Sequence, residues 1–237
     1  MSRPHSSRGS VPEVPSITSS SAVRQERPPP GRLAVGVDDG QPPWLIGVRR
    51  RIIADGALRV VSQRRAAILV VLVDDGAGPR VLLTRRADHL HYLPGAITFP
   101  GGSLEVTDGG PVAAALREAE EEIALDPASV DVLGRFPDRT TADKRFVVTP
   151  VIAWTRHLHL AAAPSPDEVS GVGLIPLADL SALLGRGQPT RICFDISTPG
   201  RPGTTLEGPV PPMTAALLVE IAAACESDRS SDASPAG

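Results

Sequence analysis

The sequence predicts a mixed α+β fold, and three features of its hydrophobic pattern lead to that prediction. Two β-rich apolar runs, at 64–73 and 80–85, flank the segment DDGAG, which is typical of a hairpin connection. One amphipathic helical pattern follows at 111–124, and further strand-like runs come after it without regular alternation with helices. Strands on both sides of one central helix favour a mixed sandwich over a regular βαβ array.

Local signals place the remaining elements. A short strand at 96–99 leads into the turn Pro100-Gly101-Gly102. The central helix begins with Pro111, because proline is favoured at the first helical positions, and the upstream Asp108 suits the positive end of a helix. After this helix we expect strands at 130–136, 146–154 and 168–175, and helices at 176–184 and 213–224, with Gly185 ending the first of these two helices.

Composition divides the chain into three parts. Residues 1–43 are rich in Pro, Ser and Arg and include RPPPGR, so they bury too little apolar surface to fold and are predicted to be a disordered extension. The same Ser and Arg bias is also typical of an organellar transit peptide, which is the alternative interpretation. Residues 44–225 form one predicted domain, and the polar residues 226–237 are predicted to be a disordered tail.

Charge, hydropathy and cysteine content exclude several classes of protein. The net charge of −3 provides no basic surplus for nucleic acid or an anionic membrane. The longest apolar run, AAILVVLV at 66–73, is far shorter than the roughly 20 residues of a membrane span. The two cysteines lack a paired CxxC spacing, which is consistent with a reducing, cytoplasmic setting. The sequence leaves a homodimer open.

The central helix concentrates glutamates on one face. At 3.6 residues per turn, an apolar side forms from Val112, Ala115, Leu116, Ala119 and Ile123. A different face carries Glu118, Glu121 and Glu122. Carboxylates that share a face destabilise one another unless they are solvated, paired with arginine or neutralised by a metal ion. A solvated helix face is the simple interpretation, and the segment before the helix argues for a metal site.

That segment makes the region similar to a known motif. The order strand, FPGG turn, acidic loop and REAEEE helix resembles the Nudix box, G-x5-E-x7-R-E-U-x-E-E-x-G-U, in which U is apolar. The matching positions are Gly102, Asp108 (where Glu is usual), Arg117-Glu118, Ala119, Glu121-Glu122 and Leu125. Two departures occur, since the spacer before Arg117 is one residue longer and Ala124 replaces glycine.

A second motif narrows the resemblance. The stretch LLTRRADHLHYLPGAITFPGG at 82–102 resembles L-L-T-x-R-S-x3-R-x3-G-x3-F-P-G-G, the pattern of coenzyme A diphosphatases within the Nudix superfamily. Ala87 stands in place of the serine and His91 in place of the second arginine. The resemblance covers about residues 64–224. It implies the Nudix α/β/α sandwich, with a mixed sheet and the box helix packed against it.

The resemblance also implies the roles of the helix residues. Glu118, Glu121 and Glu122 would bind Mg²⁺ or Mn²⁺, with Glu118 a candidate for removing a proton from water. Arg117 would order these carboxylates through charge-assisted hydrogen bonds, and the alternative is a surface ion pair with Glu121. The backbone of Gly101 and Gly102 would lie close to the metal and substrate.

Substrate contacts are predicted outside the helix. Arg86 is a candidate for gripping a phosphate, with a rim salt bridge as the alternative. His91 would contact a 3′-phosphate when protonated, and a solvent-exposed loop histidine is the plainer interpretation. Glu168 in SPDEVSG is a candidate for an extra carboxylate, with Asp167 as its substitute and a surface acid as the alternative.

The leading functional prediction is therefore a metal-dependent hydrolase of coenzyme A or its derivatives, yielding adenosine 3′,5′-bisphosphate and 4′-phosphopantetheine. One alternative is a hydrolase of ADP-ribose, NADH or nucleoside triphosphates. Another is a Nudix-fold module that binds its ligand without catalysis. A P-loop nucleotide binder is excluded, because FPGGSLE lacks the Lys-Ser/Thr that contacts phosphate and magnesium.

Overall fold

The computed structural model describes residues 41–53, 63–74, 76, 78–160, 164–184, 191–198 and 201–226. The predicted extension at 1–43 lies outside these ranges except for its last three residues, and the predicted tail at 226–237 lies outside them except for its first. The predicted helix end at Gly185 is also outside the described residues.

A mixed β-sheet forms the centre of the described chain, as the hydrophobic pattern predicts. Its strands are β1 Arg64–Val73, β2 Arg80–Arg86, β3 Ile97–Thr98, β4 Gly101–Ser103, β5 Asp131–Arg135, β6 Arg139–Thr140, β7 Phe146–Thr155 and β8 Val169–Pro176. The sheet runs in the order β3-β2-β1-β7-β5, with β4 paired to β1, β6 to β7 and β8 to β2. β1 and β7 pair in parallel over ten residues, whereas the other described pairs in this sheet are antiparallel.

Helices cover both faces of this sheet. The α-helices are α1 Leu45–Arg49, α2 Pro111–Ile123, α3 Leu177–Leu184 and α4 Pro212–Glu226, and a 3₁₀ turn spans Pro127–Ser129. Alternate residues of β1 point to opposite faces, so Ile68 and Val70 join the core under α1, α3 and α4. Leu69 and Val71 join the core under α2. The predicted α/β/α sandwich is therefore confirmed.

The apolar side of α2 packs on the sheet as predicted, but its residues differ in how deeply they are buried. Ala115, Ala119 and Ile123 are fully buried, whereas Val112 and Leu116 are partly buried against the same core. Ala114 is also fully buried, because the broad apolar stripe of a core-facing helix reaches beyond the positions first assigned to it.

Several described elements were not predicted, among them one hairpin and one short helix. The strands β9 Arg191–Thr198 and β10 Arg201–Pro209 form a separate antiparallel hairpin. The segment RPGTTLEGP of β10 contains two prolines and two glycines, residues that are depleted in strands and therefore conceal the pattern. The helix α1 has only five residues, too few for a helical period to be recognised. None of the helices in the described ranges combines the length and apolarity that a membrane span requires.

The end of α2 supports a first prediction. Ala124, which replaces the box glycine, caps the helix in the left-handed conformation at φ 53° and ψ 35°. This conformation disfavours a side chain and suits glycine. We expect Ala124→Gly to raise the free energy of unfolding by about 1 kcal/mol in urea titrations.

The matched control is Ala113→Gly at an exposed position in the first turn of the same helix. This control is expected to lose about 1 kcal/mol, because glycine is unfavourable inside a helix. An equal loss of stability in both variants would contradict the account of Ala124.

Candidate active site

The double glycine brings the sheet backbone against the helix carboxylates. β4 pairs with β1 so that Gly101 lies opposite Ile68. Gly101 has φ +148°, and a Cβ there would stand 2.3 Å from the carbonyl oxygen of Ala67. A Cβ on Gly102 would stand 2.5 Å from the carboxyl carbon of Glu118. Gly101 is therefore required by contacts with backbone atoms, whereas the contact at Gly102 is with the end of a flexible side chain and shows that Glu118 lies directly over the strand.

Glu122 is the most buried of the helix carboxylates. Its residue is 5% exposed, and its Oε2 accepts a hydrogen bond of 3.0 Å from the backbone N–H of Gly101. Burial raises the pKa of Glu122 to about 7, and the charges of Glu118 and Glu168 also raise it. The backbone N–H of Gly101 thus fixes the carboxylate of Glu122, which is a candidate metal ligand.

Glu118 and Glu168 bring two more carboxylates to the same place. Burial is the main cause that raises the pKa of Glu118, and the charges of Glu121 and Glu168 add to it. Glu168 is exposed and belongs to the loop before β8. That loop is fixed to the helix, since the Ser165 N–H donates to the Glu122 carbonyl oxygen at 2.9 Å. The charge of Glu168, on the loop before β8, therefore reaches both Glu118 and Glu122 on α2.

Asp167, the alternative to Glu168, is exposed and makes no hydrogen bond or ion pair among the described residues. The Glu168 carbonyl oxygen, in contrast, accepts a 2.9 Å bond from the Ala87 N–H. This bond ties the position of Glu168 to the end of β2, where Arg86 lies. Glu168 is the better placed of the two acids.

Arg86 supplies positive charge close to these carboxylates. It ends β2, its Nε donates to the Tyr92 carbonyl oxygen at 3.2 Å, and its charge lowers the pKa of Glu122 against the larger effect of burial. Within the described residues, no carboxylate lies at salt-bridge distance from its guanidinium, which argues against the rim salt bridge. His91 is exposed in the following loop, without a hydrogen bond to any described residue.

Arg117 binds three of the carboxylates around the box helix. Its Nε and Nη2 bind both oxygens of Asp108 at 3.0 and 3.2 Å, and Nη2 also donates to Glu118 at 3.0 Å. Its Nη1 donates to Glu121 at 3.0 Å, so the surface ion pair and the ordering role occur together. Arg117 is the main cause that lowers the pKa of Asp108, and Asp108 is the main cause that raises the pKa of Arg117.

Glu121 is the most exposed of the three helix carboxylates assigned to one face. Its side chain is 57% exposed and is engaged by Arg117, whereas Glu118 and Glu122 turn towards the glycine strand. Asp108 was matched to the box but was not among the predicted site residues. Its side chain is 6% exposed and is the main binding partner of Arg117. The match of Asp108 to the Glu position of the box was the sequence signal that could have identified it as a site residue.

Comparison with known proteins assigns the family. The NUDIX domain profile matches residues 63–194, which is more than half of the chain. The chain belongs to the NUDIX family. The NUDIX match spans every carboxylate described above, together with Arg86 and Arg117.

Two curated relatives are described as the uncharacterized Nudix hydrolase NudL. The protein of Salmonella dublin is 43% identical over 133 residues, which are 55% of this chain and 66% of that protein. The protein of Salmonella paratyphi B is 44% identical over 131 residues, covering 54% and 65% of the two chains. This chain therefore spans just under two thirds of the length of these relatives.

Among solved structures, a NUDIX hydrolase from Alicyclobacillus acidocaldarius aligns with a TM-score of 0.45 and 19% sequence identity. That alignment covers 76% of this chain and 100% of the other.

The NUDIX site has the donor chemistry of a hard divalent cation. Glu118, Glu122 and Glu168 provide carboxylate oxygens, the ligands that Mg²⁺ prefers, and the charge of Glu168 makes ionisation of the other two less favourable. No three acidic, histidine or cysteine side chains of the described residues are grouped so that they could hold a metal ion together. Mg²⁺ commonly uses one or two carboxylates together with water and substrate phosphates, so the residues present fit such an ion.

The buried Glu122 supports a prediction about pH. Since its folded pKa of about 7 lies above the ordinary value of 4.5, the folded protein binds a proton that the unfolded chain has already released between these values. Stability therefore falls as pH rises through this range. In a chelator, Glu122→Gln should match the parent at pH 5 and exceed its free energy of unfolding by roughly 1–3 kcal/mol at pH 8.

Urea titrations at several pH values in the chelator measure this difference. Parallel stability curves for the two proteins would contradict the assignment of Glu122 as a buried carboxyl group with a raised pKa. Repeating the series with Mg²⁺ is expected to stabilise only the parent protein at pH 8, because glutamine supplies no charge to the cation.

Proposed function

We propose that this NUDIX protein is a divalent-cation-dependent hydrolase that cleaves the diphosphate linkage of coenzyme A or its derivatives. The products would be adenosine 3′,5′-bisphosphate and 4′-phosphopantetheine. The observation that carries the proposal is the convergence of Glu118 and Glu122 on the Gly101-Gly102 backbone, within reach of the Arg86 charge.

The chemistry of a diphosphate explains why these groups are needed together. Its negative charge repels an attacking hydroxide, and its cleavage places further charge on the departing phosphate oxygen. Mg²⁺ or Mn²⁺, held by Glu118 and Glu122 with Glu121 or Glu168 at the margin, would neutralise that charge and acidify bound water. Arg86 would bind a phosphate through two parallel hydrogen bonds.

Glu118 is the proposed acceptor of the proton from water. Its raised pKa makes it a better base than an ordinary glutamate, and burial is the main cause. Water adds to one phosphorus, the bond between that phosphorus and the bridging oxygen breaks, and Glu118 takes the proton. Arg117, which binds Glu118 and is fixed by Asp108, holds the carboxylate in place.

The choice of coenzyme A rests on the LLTRRADHLHYLPGAITFPGG motif. Two residues in it, Ala87 and His91, depart from the pattern of coenzyme A diphosphatases. Ala87 is 3% exposed and uses its N–H to bind the Glu168 carbonyl oxygen, so its methyl group serves packing. The loss of a serine there does not argue against coenzyme A. His91 is exposed, and its replacement of arginine weakens a candidate phosphate contact, which keeps ADP-ribose, NADH and nucleoside triphosphates as the alternative substrates.

A non-catalytic binding module is the remaining alternative. Such a module has no need for Glu122, whose buried carboxylate is costly to ionise. The buried Glu122, the half-buried Glu118 and the Arg117 network together favour catalysis.

A substrate panel tests the proposal. Purified full-length chain is incubated with Mg²⁺ or Mn²⁺ and, in separate reactions, coenzyme A, ADP-ribose, NADH and nucleoside triphosphates, and the products are identified by mass spectrometry. We expect coenzyme A to give the highest kcat/KM. Preference for ADP-ribose or a triphosphate would assign the alternative substrate class, and turnover of none would overturn the enzyme proposal.

Cytoplasmic location is a further proposal about the setting of this activity. It rests on the two unpaired cysteines, Cys193 and Cys225, of which Cys225 is buried. Neither nucleic acid nor a membrane is proposed as a partner, because the chain has a net charge of −3.

A further inference from the structure

Tyr92 is an exposed aromatic residue in the loop that follows Arg86. It is the only tyrosine of the chain, and it lies in the loop between β2 and β3 beside the candidate site. The residue is 39% exposed, and its neighbour Leu93 is 36% exposed, so the pair presents apolar surface to solvent. An exposed apolar surface next to a polar site is a common feature of ligand-binding clefts.

The loop that carries Tyr92 is braced at its base. Arg85 binds both oxygens of Asp88, donates to the Ser170 hydroxyl at 2.7 Å and donates to the Glu207 carbonyl oxygen at 2.9 Å. A Cβ on Gly95 would stand 2.7 Å from Asp88, so the returning end of the loop closes tightly over this ion pair. The loop therefore presents Tyr92 from a fixed base.

The turn before β7 holds the Tyr92 ring from three directions. The Arg145 guanidinium lies 5.9 Å from the ring centroid, and the Phe146 ring lies 6.3 Å away at an interplanar angle of 49°. The Tyr92 hydroxyl donates to Asp143 at 3.4 Å. Contacts of this kind fix an aromatic side chain before a ligand arrives, which lowers the entropy cost of binding.

The backbone of Tyr92 is bound by Arg86, whose charge also reaches the helix carboxylate Glu122. The Arg86 Nε donates to the Tyr92 carbonyl oxygen at 3.2 Å, and the Arg86 charge acts on both Glu122 and the Tyr92 hydroxyl. A phosphate bound by Arg86 would therefore have an aromatic surface beside it. In a nucleotide, the base lies one sugar away from the phosphate.

We propose that Tyr92, fixed by Arg145 and Phe146, stacks on the purine base of the diphosphate substrate. The inference rests on the proposed function. It specifies that the nucleotide end of the substrate binds next to Arg86. Every base offers a flat π-surface, and stacking on an aromatic side chain is a general mode of base binding. Tyr92 is then a determinant of specificity, whereas bond cleavage remains with the helix carboxylates.

Kinetics with Tyr92→Leu provide the first test. With the best adenine-containing substrate of the panel, KM should rise about 10-fold to 100-fold, because the stacking surface is lost. The kcat should change less than about 3-fold, since the carboxylates are untouched. Tyr92→Phe is expected to recover most of the lost affinity because it restores the ring. Val219→Ala, at a residue 38% exposed on α4, is the control for an exposed apolar side chain elsewhere.

The base-free substrate 5-phosphoribosyl diphosphate separates stacking from general disturbance of the loop. An equal rise of KM for this compound, or no rise for the adenine substrate, would overturn the proposal.

A second test does not depend on turnover or on a variant that must fold. Full-length chain labelled with ¹³C in tyrosine rings gives signals from Tyr92 alone, because the chain has one tyrosine. Titration with AMP and Mg²⁺ should move these signals upfield and saturate, whereas ribose 5-phosphate should leave them in place.

AMP binding in calorimetry without movement of the Tyr92 signals, or no AMP binding at all, would overturn the stacking proposal even if the panel finds a substrate. Movement of the signals in a protein that hydrolyses no panel compound would instead support the base site and overturn the proposed activity.

Discussion

Glu122→Gln is expected to lower kcat by at least about 10³-fold with coenzyme A or whichever panel substrate is preferred. The substitution keeps the shape of the side chain and leaves an oxygen for the Gly101 N–H, so the local fold should survive. It removes the charge of the most buried carboxylate on the helix, and that charge is the proposed link to the cation. Initial rates at saturating Mg²⁺ measure the effect, and circular dichroism checks the fold.

Glu120→Gln is the matched control for this prediction. Glu120 is an exposed residue of the same helix and points away from the glycine strand, so its amide variant should retain the parent kcat. A near-normal rate for Glu122→Gln would remove Glu122 from the metal site. A comparable loss in both variants would show that the helix as a whole, rather than one carboxylate, is sensitive to charge.

The long periodic elements could be predicted from the sequence because their signal is local. The bounds of β1 at Arg64–Val73 were predicted without error, since eight consecutive apolar residues leave little alternative to a buried strand. The helix α2 ended one residue earlier than predicted, at Ile123, because Ala124 adopts the left-handed cap. The strand β10 was not predicted because its prolines and glycines carry no strand signal, whereas the strand pattern of β9, RICFDIST, contains neither residue and was overlooked.

The helical wheel and the box motif predict the residues of the candidate site that lie on α2, but not the contacts that these residues make with other segments. The wheel places Glu121 beside Glu118 and Glu122, but it does not show that Arg117 binds Glu121, which is 57% exposed, or that Glu122 is the buried member of the set. The support of Glu168 by Ala87 depends on a contact between segments distant in sequence. Tyr92 was missed for the same reason, since its partners lie in a turn about fifty residues later.

Removal of the Arg117 side chain should have the second large effect, on stability as well as on rate. Arg117→Met leaves Asp108, whose side chain is 6% exposed, without the cation that binds both of its oxygens. An unpaired carboxylate in such a place is unfavourable, so we expect a loss of about 1–3 kcal/mol in the free energy of unfolding at pH 7. The kcat should also fall, because Glu118 loses the guanidinium that holds it.

The pH dependence of this loss identifies its cause. Arg117 lowers the folded pKa of Asp108 below its ordinary 3.8, so the stabilisation is present above that value and disappears as pH falls through the lowered pKa. Urea titrations from pH 7 to pH 3 should therefore show the parent and Arg117→Met converging in acid. Glu121→Gln, which breaks only the exposed contact, should cost less than about 0.5 kcal/mol.

A double-mutant cycle separates the buried pair from the rest of the network. Asp108→Asn combined with Arg117→Met removes both charges, so the double variant should lose less stability than the two single losses added together, by at least about 1 kcal/mol. Strict additivity would mean that Asp108 and Arg117 act independently despite their 3.0 Å contact. The loss of stability in Arg117→Met would then be assigned to its contacts with Glu118 and Glu121.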